Sequence, residues 1–538
     1  MGKPSRRDSP TTGILGRLFF TCWLVYLVLL NPAGNVMSNT ILGATVSLAK
    51  WHSWLVPLRF PDEALDVSFV RFQTPQGIVI GAVSGFPPGA SLAALPCYSI
   101  AWWMTRLFPG TWARPHLVKV DTSILIQSGI QLKPSYQFTT PPLIYWLQLI
   151  AAACVSAPAA AGVVVLCYLV LNRFGLPSWQ RLGVSLTAGF GTSLFPQAGV
   201  YGKESLATFL VFAAFTLICF LSRASPPATQ FRWLLYAGAL AGGAISVEYK
   251  TGLIALLLMG YAARKMGPSG IGAMLCGLAG PLFFLGCYHT MFFGAPWLTP
   301  YQFRAIQPWS QHQVGLGGLT RPHLEALWGL SFSPFQGLFL YQAFLLVAMI
   351  GLLRRWDAEI ADEITLSFAT VFGLLLATSS AQSLLTWSGG FIGWGSRHLV
   401  PATPFMALLL AGFLRVVRSR TWKVLALALA TLSVGIQLLC ATWGGTLFPD
   451  ARAPALIWVN NPEVLHVNPI AVMVHASLQR GFSIPLLRVY WSSEAAAAWG
   501  TLAVFLLILC VCWWMWSSVR VDHSSAVDEG ARDEPSRP

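Results

Sequence analysis

The sequence predicts an all-α polytopic membrane protein, and three observations carry that prediction. Apolar residues make up 55% of the 538-residue chain and charged residues only 10%, whereas soluble domains carry roughly 25% charge. Mean hydropathy is +0.61. The apolar residues gather into runs close to the ~20 residues that a helix needs to cross a bilayer. The net charge of +14 is spread over short connections between these runs. That distribution fits the positive-inside bias of membrane proteins and not a groove for nucleic acid.

The first run, 14–32, follows Lys3, Arg6, Arg7 and Arg17. No small-residue cleavage site follows it cleanly, and Asn31-Pro32 comes straight after, so it reads as a retained anchor. Further candidate spans are 142–170, 183–200, 204–221, 234–247, 252–263, 270–291, 337–353, 364–384, 399–414, 424–442 and 497–517, about 12 in all. Two of them are short and are separated by Glu248-Tyr249-Lys250. One more stretch, 89–107, is ambiguous: it follows Pro87-Pro88-Gly89 and contains Pro96, Trp102 and Trp103.

The connections resolve that ambiguity. With 89–107 lying along the interface, both termini are cytoplasmic. The inner connections then carry Arg173 and Arg181, Arg223 and Arg232, Arg264 and Lys265, Arg354 and Arg355, and Arg415, Arg418, Arg420 and Lys423. If 89–107 spanned, every one of these would fall outside and the bias would invert. The stretch is therefore expected to be a juxtamembrane amphipathic helix. The expected organisation is a membrane region over 1–442 that includes a first outer loop, 33–138, and a second outer segment, 292–336. An outer loop 443–496, a last span 497–517 and a disordered cytoplasmic tail 518–538 complete it.

Ten cysteines lie mostly inside apolar runs, and no CxxC or Cys/His ligand spacing appears. Neither a disulfide framework nor a zinc site is expected, and no residue is assigned to a metal.

Several short clusters carry chemistry. Asp62, Glu63 and Asp66 stand together in the first outer loop of a chain with only 20 Asp and Glu. Pro61-Asp62-Glu63 suits a helix start in a solvated loop. It equally suits a general base at a low-dielectric surface, where a carboxyl with a raised pKa takes a proton from an acceptor hydroxyl. Clustered carboxylates also permit a divalent cation opposite a phosphate leaving group. Tyr201-Gly202-Lys203-Glu204 lacks the Ser or Thr and the glycine spacing of a P-loop. It is either a Lys-Glu pair at a membrane edge or a cation that meets a lipid phosphate. Glu248 and Lys250 form an ionisable pair at membrane depth, where such residues face the bundle interior; a plain turn is the alternative. Trp387 through His398 holds four glycines that allow close backbone approach, and Arg397, which suits bidentate contact with phosphate. Its tryptophans suit either a sugar or the interface. The segment 292–336 is long for a loop and rich in Gly and aromatics, as binding loops and lids are.

Taken together, these pieces resemble bacterial integral-membrane glycosyltransferases of the GT-C superfamily. That superfamily includes protein mannosyltransferases, aminoarabinose transferases of lipid A and galacturonosyltransferases acting on lipopolysaccharide. The resemblance rests on Asn39, the run Ala44–Trp54, Asp66 and Phe86-Pro87-Pro88-Gly89-Ala90-Ser91-Leu92. Gly191-Thr192, Tyr201-Gly202, Glu248-Tyr249, Phe293-Gly294-Ala295-Pro296, Ser333-Pro334 with Gly337, and Trp387 through Leu399 extend it. It implies a polyprenyl-phosphate sugar donor reached from within the bilayer, at the outer face of the cytoplasmic (inner) membrane. A first-loop carboxylate is the implied base, and a lipid, glycan or protein of the cell envelope the implied acceptor. Asp66 fits the family position, and Asp62 lies nearer the first span. Lys203, Lys250 and Arg397 are expected to hold the donor phosphate, with Glu248 ordering the cations or a sugar hydroxyl and Tyr201 and His398 completing the substrate-binding set. The chain departs from the family in the uncharged Ile80–Gly85, in Lys250 where a proline is usual, and in His398 where a tyrosine is common.

A transporter or lipid-linked-sugar flippase is the competing class, since intramembrane charges and short, discontinuous spans also build translocation paths. The absence of clear symmetry between halves and the large outer loops argue against it. A non-catalytic scaffold, the third class, would give these charges no role.

Overall fold

A computed structural model describes residues 9–31, 36–56, 67–74, 77–108, 116–121, 135–140, 142–303, 321–353, 359–380, 395–447, 468–490 and 493–530. The fold is that of a predominantly helical membrane protein. In chain order the helices are α1 (Ser9–Val28), α2 (Val36–Trp51), α3 (Gly89–Ala93), α4 (Leu95–Leu107), α5 (Pro142–Phe174), α6 (Ser178–Phe190), α7 (Leu194–Ala198), α8 (Glu204–Phe220), α9 (Pro227–Val247), α10 (Thr251–Met266) and α11 (Pro268–Phe293). They continue with α12 (Leu324–Phe332), α13 (Leu338–Tyr341), α14 (Phe344–Gly351), α15 (Ala361–Ser380), α16 (Thr403–Val416), α17 (Arg420–Leu447), α18 (Pro469–Arg480), α19 (Pro485–Tyr490) and α20 (Glu494–Gly530).

Among the described residues, each of the twelve expected spans falls mostly on helix. Among the described residues, six are long and apolar enough to cross a membrane: Pro142–Phe174, Pro268–Phe293, Ala361–Ser380, Arg397–Val416, Arg420–Trp443 and Ala495–Trp513. Gly13–Val28 and Glu204–Phe220 are apolar but shorter. The length criterion therefore does not bear out a count of twelve, partly because two expected spans are interrupted. The range of α20 takes in the first part of the 518–538 tail.

The interruptions have side-chain causes. After α6, Gly191 and Thr192 break the helix, and the Thr192 hydroxyl donates to Ala188 O (2.7 Å) while accepting from Leu194 N (3.3 Å). Between α13 and α14, the Tyr341 carbonyl accepts from Gln437 Nε2 (3.1 Å) and Phe344 N–H donates to Ser433 Oγ (3.3 Å), both on α17. Gln342 Nε2 then donates to Ser193 Oγ (3.2 Å), so the two breaks meet. Backbone freed from a helix at membrane depth must find such partners, because lipid supplies none. In α5 the helix widens to a π segment at Ala152–Ser156, just before Pro158. Proline lacks the N–H that an α-helical bond would need there.

Small residues set the closest helix pair. A Cβ on Gly238 of α9 would overlap the Met274 carbonyl of α11, and one on Gly277 would overlap Leu235 O. Glycine at both crossings lets the backbones touch, as in lipid, where close packing rather than water exclusion drives helix association.

The basic connections converge on one end of the bundle. Arg173 Nη1 and Lys265 Nζ (2.5 Å) both reach the Cys219 carbonyl at the C-terminus of α8. Arg223 reaches the last turn of α10 through Lys265 O (2.7 Å) and Arg264 O (2.9 Å). Cations suit the negative ends of helix dipoles. Arg264 pairs with Asp362 (2.7 Å) and Arg415 with Glu359 (3.0 Å). Buried Glu363 accepts from Tyr261 OH (2.7 Å).

The opposite end carries what the helical expectation passed over. Val67–Thr74 (β1) and Gly77–Ser84 (β2) form an antiparallel hairpin, and His116–Asp121 (β3) pairs with Ser135–Thr140 (β4). The hairpin β1–β2 packs through Val70 and Val83 on Tyr288 and Phe293 of α11, and Ser68 Oγ donates to Pro300 O (2.7 Å). The stretch 89–107 is helical as expected, split into α3 and α4.

The α9–α11 contact yields a stability prediction. Gly277→Leu is expected to cost about 2 kcal/mol or more through backbone overlap. Gly280→Ala, whose Cβ meets nothing within 4 Å, is expected to leave the thermal midpoint in detergent unchanged.

Candidate functional site

At the hairpin end, five ionisable side chains from three stretches of chain come together. Lys203 stands at the N-cap of α8, Glu204 in its first turn, Glu248 at the C-cap of α9 and Lys250 at the N-cap of α10. Arg397 opens the 3-10 turn Arg397–Ala402 ahead of α16. Lys203 Nζ lies 2.5 Å from Glu248 Oε2, with both side chains buried. Lys250 N–H points to Glu248 Oε1 at 3.4 Å. Electrostatic interactions link Lys250 to Glu248, Lys203, Arg397 and Glu204.

Burial alone would drive both members of the pair neutral. Burial pulls the Lys203 ammonium down, but Glu248, Tyr301 and Glu204 outweigh it and hold it above the usual lysine range. Burial pushes the Glu248 carboxyl up, and Lys203 and Lys250 together hold it below the usual carboxylate range. The pair is an ion pair. Lys250 differs: burial pushes it down to about 7 against the pull of Glu248, with Lys203 and Arg397 adding like charge.

The chain around the cluster is tied to it by short-range contacts. The Phe86 ring lies 4.8 Å from Lys203 Nζ, a cation–π distance. Gly89 follows, and a Cβ there would sit 2.5 Å from Ser246 O, so only glycine lets α3 rest on the end of α9. Tyr301 OH accepts from Lys203 Nζ at 3.4 Å. Beside it, Tyr249 OH donates to His289 Nε2 (2.7 Å), and His289 Nδ1 donates to the Pro296 carbonyl (2.9 Å). A carbonyl only accepts, so Nδ1 carries the proton of that imidazole and Nε2 is the acceptor. Arg397 Nη1 reaches Met37 Sδ of α2 at 3.9 Å. Glu204 Oε2 is buried with no hydrogen-bond partner among the described residues.

The expected residues thus divide. Lys203, Glu248, Lys250 and Arg397 are brought together. Tyr201 is fully buried; its hydroxyl donates to Ala90 O, and its carbonyl accepts from Ser38 Oγ (2.5 Å). It therefore joins α2 and α3 beneath the cluster rather than presenting its hydroxyl to a ligand. His398 is half-buried beside Arg397. Asp62, Glu63 and Asp66 lie outside the described residues, as does Trp387–Trp394. Among the described residues no group of three or more His, Cys, Asp or Glu side chains is placed to hold a metal. Reading the sequence missed Tyr301, His289 and Phe86 as parts of the site. Tyr301 and His289 carry no local motif, and Phe86 was legible only as the residue before Pro87-Pro88-Gly89.

Removing one member of the pair strands the other. Lys203→Met is expected to lower stability by about 3 kcal/mol, and the double variant with Glu248→Leu to recover most of that loss, read as thermal midpoints in detergent. A second expectation concerns pH. Folded Lys250 titrates near 7 and an unfolded lysine near 10.5, so the folded state binds fewer protons between those values. Its contribution to stability rises with pH across that window. Affinity for a phosphate monoester, which needs the ammonium, should fall as pH rises from about 6 to 8, and Lys250→Gln should flatten the profile.

No family model matches the chain, and no curated protein does. Two solved structures show a likeness. One is ArnT from Cupriavidus metallidurans bound to undecaprenyl phosphate, with a TM-score of 0.45, 11% identity and coverage of 94% of this chain and 76% of that one. The other is the same protein in the apo state, with a TM-score of 0.40, 12% identity and coverage of 94% and 76%. A likeness of this size assigns neither family nor activity.

Proposed function

We propose that the protein is a membrane glycosyltransferase that moves a sugar from a polyprenyl-phosphate donor to an envelope acceptor on the outer face of the cytoplasmic membrane. The observation that carries this reading is the convergence of Lys203, Lys250 and Arg397 beside two buried carboxylates at the end of the bundle. With Lys250 protonated and both carboxylates ionised, three positive and two negative side chains leave one net positive charge. The N-termini of α8 and α10 add their dipoles, and helix N-termini favour anions. Such a site suits a phosphate whose charge grows as the sugar leaves.

In the proposed step the acceptor hydroxyl loses its proton to a first-loop carboxylate as its oxygen attacks the anomeric carbon. The bond from that carbon to the phosphate oxygen breaks, and polyprenyl phosphate departs with the electron pair. Lys203, Lys250 and Arg397 stabilise the departing charge. Glu248 holds Lys203 in place, His398 stands at the mouth beside Arg397, and Tyr201 braces α3 beneath.

Asp66 is favoured as base over Asp62. It precedes Val67, the first residue of β1, and Val67 pairs with Ser84, two residues before Phe86. The resemblance also puts a first-loop carboxylate at the position that Asp66 fits. The transporter reading has one observation in its favour, the two interrupted helices that meet through Gln342 and Ser193, because discontinuous helices often build translocation sites.

Asp66→Asn is expected to reduce turnover of a radiolabelled polyprenyl-phosphate sugar by about 100-fold or more while leaving the fold intact, with Asp62→Asn much milder. Full activity in both variants would falsify the assignment of the base. Headgroup movement across vesicles with no glycoside product would favour the transporter.

A further inference from the structure

At the basic end, away from the site above, a groove of about 360 Å³ opens between α14, α16 and the start of α17. Its walls are apolar: Ile350, Phe413, Val416 and Val417, with Trp422 packed edge-on against Phe413 at 6.4 Å. Its polar members are Arg418 and Ser419, in the turn between α16 and α17. Neighbouring Arg415 is already paired with Glu359. Arg418 is exposed and has neither an ion pair nor a hydrogen bond among the described residues. Arg418 is the charged member of the groove's lining, and Arg420 and Lys423 follow it within a turn of sequence.

We propose that this groove binds the headgroup of an anionic phospholipid from the leaflet on the basic side. Charge complementarity selects the occupant. An arginine matches a phosphate in a way a neutral partner would not, and basic pockets between membrane helices take acidic headgroups. The apolar wall argues for a lipid over a free phosphate, because Ile350, Val416 and Trp422 offer an acyl chain a surface that a soluble anion cannot use. Trp422 sits where an amphipathic ring marks the boundary between headgroup and chain. The groove needs none of the residues of the proposed glycosyl transfer, so the two proposals stand or fall separately.

The test is native mass spectrometry of the full chain released from vesicles holding equal amounts of phosphatidylglycerol and phosphatidylcholine. Retention of phosphatidylglycerol over phosphatidylcholine is expected. Arg418→Gln should weaken it about fivefold, as expected for one surface basic residue, and Arg418→Lys should restore part of it. Circular dichroism checks that the variants stay helical. Equal retention of the two lipids would overturn the proposal, as would undiminished retention by Arg418→Gln. Displacement of the lipid by millimolar glycerol 3-phosphate would overturn the lipid in favour of a soluble anion.

Discussion

The ion pair between Lys203 and Glu248 is the constraint around which the rest of this end is arranged. Each charge sits at the wrong end of its own helix. Lys203 caps the positive N-terminus of α8, and Glu248 the negative C-terminus of α9, positions where the macrodipole opposes the charge. Taking two such groups out of water costs several kcal/mol per ion. Only their mutual contact at 2.5 Å, with the Phe86 face below Lys203 and the Lys250 amide beside Glu248, makes the arrangement tenable. The pair therefore fixes how the ends of α8 and α9 meet, and through Gly89 how α3 lies against them.

Polar groups deep in the bundle follow the same logic. Where α6 gives way to α7, and α13 to α14, the freed carbonyls and amides are taken up by Thr192, Ser433 and Gln437. Gln342 and Ser193 then link one break to the other. Interruption is tolerated because it is shared: each broken helix supplies what its neighbour lacks. The basic end is closed differently, by arginine and lysine side chains over helix C-termini.

Much of this was legible in the chain. Apolar runs located the helices, and the basic connections did gather at one end, because hydropathy and charge are local signals that lipid enforces. Lys203, Glu248, Lys250 and Arg397 were each legible from their own short clusters, and the geometry brings the four together. Tyr201 shows the limit of motif reasoning: its position beside Gly202 and Lys203 suggested a ligand contact, and its hydroxyl is instead spent on Ala90 O. The hairpin β1–β2 had a signal in the β-branched runs around Pro75-Gln76-Gly77, which the prevailing hydropathy masked. The breaks at 191–193 and 342–343 were unreadable as a pair, since nothing local to either records that Ser193 and Gln342 lie side by side.

The seat of Gly89 on Ser246 has a mechanical consequence. Helix α4, which follows α3 directly, presents Ile100, Trp103 and Leu107 outward, each more than half exposed. There is little slack between them and Glu248, because α3 is bonded to Tyr201 through Ala90 O and abuts the last turn of α9 without room for a methyl group. Any displacement of α4 is thus passed through only a few residues to the buried ion pair.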